Sequence, residues 1–327
     1  MKQTPDLPPV AGSGAPGAAG REPGREAFVG GVYAFGAYLL WGFLPLYFLA
    51  LAPSTAFEVV AWRIVLSFVF CALLLTVTRG WAAFAAIARQ PRLVLWMGAA
   101  GLLILVNWTV YLLGTLSGHV IEASLGYFIN PIVTVLLAVI VLRERLSIAQ
   151  WIAIGIALVA VGVIVIGYGA FPWIALTLAF SFGLYGLVKK QLGASIDAVS
   201  GLTLESLWLT PIAIVTLVVI GTTTGLTLTT AGTWHGVLLL SAGVVTAIPL
   251  LLFAAGTRRA PLSVIGLLQF VAPIIQFAIG VWVLGEPMPV ERWIGFGLVW
   301  VALIVLTVDS FTGARRRRRV EDVATLT

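Results

Sequence analysis

The sequence predicts an all-α polytopic membrane protein with ten transmembrane helices, arranged as two inverted five-helix repeats. Three observations carry that expectation. Of 327 residues, 60% are hydrophobic and 10% charged, against roughly 45–50% and about 25% in an ordinary soluble domain. Apolar runs long enough to cross a bilayer recur along nearly the whole chain. The chain also matches itself without a gap at an offset of 142 residues.

The same composition excludes other classes. Too few charged side chains are present to disperse a soluble protein of this size or to form a nucleic-acid surface. The 35 glycines and 12 tryptophans fit close helix packing and membrane interfaces. The single Cys71 leaves no disulfide framework, and His119 and His235 alone make no zinc site. No phosphate-binding G-x-x-x-x-G-K-[ST] loop and no H-E-x-x-H pair occurs, so neither an enzyme nor a bound cofactor is expected. The net charge of +6 owes much to one block, Arg315–Arg319.

Taken in order, residues 1–27 are rich in Pro, Gly and Ala, and are expected to form a disordered tail. They lack the basic start and run of about 7–15 apolar residues of a signal peptide. A hydrocarbon core of about 30 Å takes about 20 helical residues. Spans are expected near 29–50, 57–78, 93–115, 121–142, 148–168, 172–189, 201–221, 235–255, 262–284 and 291–310. The segments between them are too short for an inserted soluble domain. Residues 311–327 form a basic tail.

Orientation follows from Lys and Arg. With ten spans, every basic residue except Arg63 and Arg292 falls on the side that carries both termini. The positive-inside rule places that side in the cytoplasm. Dropping one span would scramble the asymmetry.

The self-match runs from about residue 98 to 166. Gly101, Gly114 and Thr115 fall on Gly243, Gly256 and Thr257; Leu125, Phe128, Pro131 and Ile132 fall on Leu267, Phe270, Pro273 and Ile274. Further on, Val141, Leu142 and Glu144 fall on Val283, Leu284 and Glu286, and Trp151, Ile152 and Gly155 on Trp293, Ile294 and Gly297. Chance would seldom align Pro, Glu, Trp and Gly in one ungapped register. The unit contains five helices, at 28–168 and 169–310, and an odd number makes the second copy enter from the opposite face. Arg143 and Arg145 flank Glu144, whereas no basic residue follows Glu286 before Arg292. Inverted repeats of this kind recur in secondary transporters, with a site near the midplane between the halves.

The run from Glu122 through Tyr127 and Asn130 to Pro131, the Asn107–Trp108 pair, the stretch Ala179 to Gly186 containing Tyr185, and the cluster Glu205, Trp208 and Pro211 resemble the RarD branch of EamA-type transporters in the drug/metabolite transporter superfamily. The resemblance covers about residues 28–310. It implies ten helices in two inverted EamA repeats, cytoplasmic termini and a multi-pass permease of the bacterial inner membrane. Members of that branch are described as chloramphenicol-sensitivity or resistance permeases, a label that fixes no substrate.

An ionisable group inside a membrane helix costs at least ~2.5–3.5 kcal/mol on insertion scales, so each is a functional candidate. Glu58 and Glu122 stand at the outer ends of spans 2 and 4, and Glu205 at the inner end of span 7. Helix capping or interfacial ion pairing is one reading of these acids, and a pathway or proton-coupling role the other. Asp309, ending span 10, reads the same way. Arg63 lies clearly inside a span. Five residues from Glu58 it points to another face, so its expected partner is Glu122, with a substrate anion as the functional alternative.

Asn107 and Asn130 sit ~12–14 Å deep at ~1.5 Å per residue, close to the midplane. With Trp108, Tyr111, Tyr127, Tyr185 and Gln269 they are the expected substrate-binding residues. Against this, Asn and Gln also simply join helices in membranes. Prolines 45, 131, 211, 249 and 273 bend spans, while Trp81, Trp96, Trp151 and Trp293 read as interface anchors. The expectation is a secondary permease whose partners are a small organic solute and the bilayer. A receptor or passive channel is the alternative, but a channel would show a ring of like charge or a filter loop.

Overall fold

The computed structural model describes residues 23–324, apart from 144–145, 170 and 193–195. Every regular element among them is helical. In order these are α1 (Pro23–Leu49), α2 (Ala56–Val77), α3 (Trp81–Ala88), α4 (Pro91–Leu116), α5 (Val120–Leu142), α6 (Ile148–Tyr168) and α7 (Trp173–Leu192). There follow α8 (Ala198–Thr223), α9 (Thr227–Thr230), α10 (Thr233–Leu240), α11 (Ala242–Thr257), α12 (Leu262–Leu268), α13 (Val271–Ala278), a π-helical turn (Ile279–Val283) and α14 (Val290–Ala324).

Nine stretches of the described chain are long and apolar enough to cross a membrane, where the sequence suggests ten. The difference is α7. Its 20 residues include Ser181, Tyr185, Lys189 and Lys190, which dilute its apolar character. The expected tail at 1–27 lies outside the described residues up to position 22, and α1 already begins at Pro23. At the other end, the backbone of α14 stays helical through the basic block to Ala324.

Local chemistry sets the helix ends. Thr55 caps α2 by accepting from the Glu58 amide at 3.2 Å. Ser147 and Gln150 form a reciprocal capping box on α6, which stops at Gly169 with φ 73°. Asp197 caps α8 through the Ser200 amide at 2.9 Å.

Two expected spans are interrupted. The 262–284 span is divided into α12, α13 and the π turn. Pro273 has no N–H to offer the Gln269 carbonyl four residues back, and its ring crowds that oxygen. The break falls there, between Leu268 and Val271. The 235–255 span breaks at Ser241, whose hydroxyl donates to the Leu238 carbonyl at 2.7 Å. The Tyr47 hydroxyl of α1 donates to the same carbonyl at 2.8 Å, so a neighbouring helix satisfies the interruption. Pro131 and Pro211 sit within unbroken helices.

Packing follows a regular scheme. Helices α2 and α8 pair, as do α6 and α14, and α5 and α13. In addition α4 packs on α7 and α8, while α11 packs on α1 and α2; α5 packs on α7, and α13 on α1. Glycines allow the close approaches. A Cβ at Gly243 would stand 2.5 Å from the Leu66 backbone, and one at Gly256 would stand 2.9 Å from the Ala34 amide. One core joins α5, α6, α13 and α14 around Phe128, Phe277 and Phe296. The other joins α2, α4, α7 and α8 around Ile64, Leu112, Leu178 and Leu209. Outward faces carry exposed side chains such as Val77, Ile148, Leu158, Ile166 and Ile304, as a lipid-facing surface requires.

Candidate functional site

Two turns into α2, the Arg63 side chain turns inward and is 4% exposed. Its Nε donates to the Thr246 hydroxyl of α11 at 3.0 Å. That hydroxyl donates in turn to the Ala242 carbonyl at 2.7 Å, which leaves a lone pair facing Arg63. The guanidinium carbon lies 4.5 Å from the Trp108 ring centroid and 4.9 Å from that of Phe48. Nη1 is buried and has no hydrogen-bond partner.

The expected ion pair between Arg63 and Glu122 does not form. Glu122 instead accepts from the Ile174 amide at 2.9 Å, with the Ala175 amide at 3.5 Å. The first turn of α7 offers unpaired N–H groups and the positive end of the helix dipole, and these hold the carboxylate. Two more acids act alike. Glu58 accepts from the Thr227 amide at 2.8 Å. Glu286, in the loop before α14, accepts from the Val120 and Ile121 amides at 2.6 and 3.0 Å. For Glu58 and Glu122 the capping alternative therefore describes the geometry. Asp309 accepts from the Ser147 hydroxyl at 2.9 Å.

Next to Arg63 runs a column of aromatic and polar groups. Tyr111 lies 6.1 Å from Phe48 and 5.6 Å from Tyr127 between ring centroids; Phe182 continues the series 6.1 Å from Tyr127 and 5.9 Å from Tyr185. Asn107 joins three elements: its amide donates to the Leu178 carbonyl and the Ser181 hydroxyl, each at 3.1 Å, and its oxygen accepts from Tyr127 at 3.2 Å. Asn130 shows the opposite state, with a buried side-chain oxygen that has no partner. The Tyr111 hydroxyl is likewise buried and unpartnered.

The column ends at an ion pair. Lys189 Nζ lies 2.8 Å from Glu205 Oε1, with side chains 35% and 5% exposed, and the Tyr185 hydroxyl stands 3.4 Å from the other oxygen. Glu205 is thus not an inexpensive residue at a helix end but a buried acid with a cationic partner. Lys189 was visible in the sequence only as one basic residue among many. The signal that places it is spacing, since Ser181, Tyr185 and Lys189 recur every fourth residue and share one face of α7.

Gln269 does not join the column. It lies at the break after α12, partly buried, and hydrogen-bonds none of the residues above. Gln276, a turn into α13, is the buried amide of that helix; it donates to the Trp41 carbonyl at 3.1 Å and keeps an unpartnered oxygen. Phe48, Phe182 and Thr246 also line this column, and no sequence motif singles them out. Among the described residues, no three His, Cys, Asp or Glu side chains converge as metal ligands.

A buried polar column enclosed by apolar helices with an apolar exterior is the build of a multi-pass membrane protein. Comparison with known proteins is more specific. The EamA-like transporter family model matches residues 28–167 and again 172–308. The chain is 45% identical to Protein RarD of Streptomyces exfoliatus over 92% of its own length and 95% of that protein's. It is 40% identical to the uncharacterized transporter YojE of Bacillus subtilis, over 87% and 95%. A known crystal structure shares the fold at TM-score 0.54 and 18% identity, covering 87% of this chain and 98% of that one. The chain belongs to the EamA-like transporter family and is a membrane transporter of the drug/metabolite type.

Proposed function

We propose that the protein is a secondary permease that moves a small organic solute across the bacterial inner membrane by alternating access. Both termini are cytoplasmic, and two inverted five-helix repeats, 28–168 and 169–310, rock about the aromatic column. One observation carries this reading: α2, α4 and α5 of the first set and α7, α8 and α11 of the second all contribute to that column. A site made by both halves is remade whenever they move against each other. The packing scheme lends support. Exchanging the two sets turns the α4–α7 contact into α11–α1, α4–α8 into α11–α2, and α5–α7 into α13–α1, all of which occur.

Purified protein in proteoliposomes, assayed by counterflow of radiolabelled chloramphenicol, benzoate and tryptamine, tests the reading. Saturable exchange of at least one solute above empty liposomes is expected, and Asn130→Ala should reduce it several-fold with its melting temperature unchanged. The reading fails if no solute exchanges, or if activity falls only in step with loss of folded protein.

A further inference from the structure

We propose that Arg63 is the docking group for an anionic substrate, and that the solute is an organic acid with a planar apolar body. This rests on the permease reading and names the substrate class of the same site.

A cation buried in a membrane protein is ordinarily matched by a carboxylate, because an unpaired one is costly. Among the described residues, the two acids of the neighbouring helix ends, Glu122 and Glu58, accept from backbone amides instead, those of Ile174 at the start of α7 and of Thr227. The groups that touch the guanidinium are the Thr246 hydroxyl and the Phe48 and Trp108 rings, none of them an anion. Among the described residues Nε donates to Thr246, and Nη1 is a buried donor without a partner. A guanidinium presents its N–H groups as a rigid fork that matches a carboxylate. Trp108 and Phe48 fix the plane of that fork without neutralising it. The rings of Tyr111, Tyr127 and Phe182 continue from it, set at 58° and 90° to one another, an edge-and-face lining of the kind that pairs with an aromatic body. At the far end Lys189 is already neutralised by Glu205. That leaves Arg63 as the uncompensated charge of the column among the described residues.

Thermal shift and equilibrium binding in phosphatidylcholine nanodiscs, which contain no anionic lipid, test the assignment. The probes are benzoate and indole-3-acetate, their amides benzamide and indole-3-acetamide, and tryptamine. Each acid should bind about tenfold or more tightly than its amide, and tryptamine should not compete. Arg63→Met should reduce acid affinity about tenfold to a hundredfold, the range of a charged hydrogen bond, and leave the amides unchanged. Arg63→Lys should restore part of the loss. Should Arg63→Met not fold, the acid-against-amide comparison on the native protein decides alone. Equal binding of acid and amide, no binding of either acid, or undiminished acid binding by Arg63→Met overturns the assignment. Counterflow separates it from the permease reading. Exchange of chloramphenicol without acid binding removes the anion site only, whereas Arg63-dependent acid binding without exchange of any solute removes the permease only.

Discussion

Asn107 on α4 and Asn130 on α5 are in opposite states of satisfaction, so their substitutions are expected to act differently. Asn107 has three partners on α5 and α7. At about 0.6 kcal/mol for a hydrogen bond between membrane helices, Asn107→Ala should cost about 1–2 kcal/mol, read as a lower melting temperature. The Asn130 amide oxygen has no partner to lose. The Lys189–Glu205 pair is asymmetric in another way, because the lysine is a third exposed and the glutamate almost wholly enclosed. Removing the lysine strands a buried anion, whereas removing the glutamate leaves a cation that can turn outward along its own stem. Lys189→Met should therefore destabilise the protein more than Glu205→Gln, and the double substitution should lose less than the sum. Equal single losses in denaturation would show that both charges reach water. Rise per residue sets an expected depth for Asn107 and Asn130 from sequence alone, but Glu205, expected at a helix end, is a buried acid. Pairing is not legible in sequence either. The ten-span reading puts Glu122 and Arg63 toward the same side, but whether Glu122 meets a guanidinium or the amides of α7 depends on how a distant helix packs, and no local pattern encodes that.

At the scale of elements, hydrophobic runs marked the helices well and their interruptions poorly. The sequence predicts only a bend at Pro273, yet the helix breaks there, while Pro131 at the matching place in α5 leaves its helix whole. The ring chemistry is identical, so the outcome depends on what surrounds the freed carbonyl. Glycines show the same limit. Gly101 and Gly243 coincide in the self-match, and both face the other half of the molecule. A Cβ at Gly101 would find ordinary contacts at 3.5 Å, whereas one at Gly243 would collide with the Leu66 backbone at 2.5 Å. Gly101→Ala should accordingly be neutral or stabilising, since alanine favours helix by about 1 kcal/mol. Gly243→Ala should destabilise by about 1–3 kcal/mol through overpacking. Comparable melting temperatures for the two would mean that α2 and α11 can separate more freely than this packing implies. The polar stripe of α7 is present in the sequence as four-residue spacing but stands out only once its partner helices are known. Its weak apolarity, which sets it apart from the nine other stretches, has the same origin as its place along the column.

For the whole molecule, the proposed plan makes one demand that composition alone does not: its two halves must enter the membrane from opposite faces. Inversion rests on the distribution of charge and on the odd number of helices in the repeat, both properties of the sequence. The native chain suits a direct test, because its single cysteine, Cys71, is buried with 0% exposure and provides a silent background. Thr224, Pro287, Ala88 and Arg258 are all exposed at helix ends or in connections. If ten spans carry both termini in the cytoplasm, Thr224→Cys and Pro287→Cys open to the periplasm, and Ala88→Cys and Arg258→Cys to the cytoplasm. A membrane-impermeant maleimide added to intact spheroplasts should label the first pair and leave the second pair unlabelled until the membrane is broken. The comparison of Pro287 with Ala88 is the informative one. They belong to opposite halves, and a parallel duplication with one span fewer would place them on the same side. Labelling of all four positions, or of none, in intact cells would remove the inversion. The cross-half contacts would then need a different symmetry, and rocking about a shared column would no longer follow from the fold.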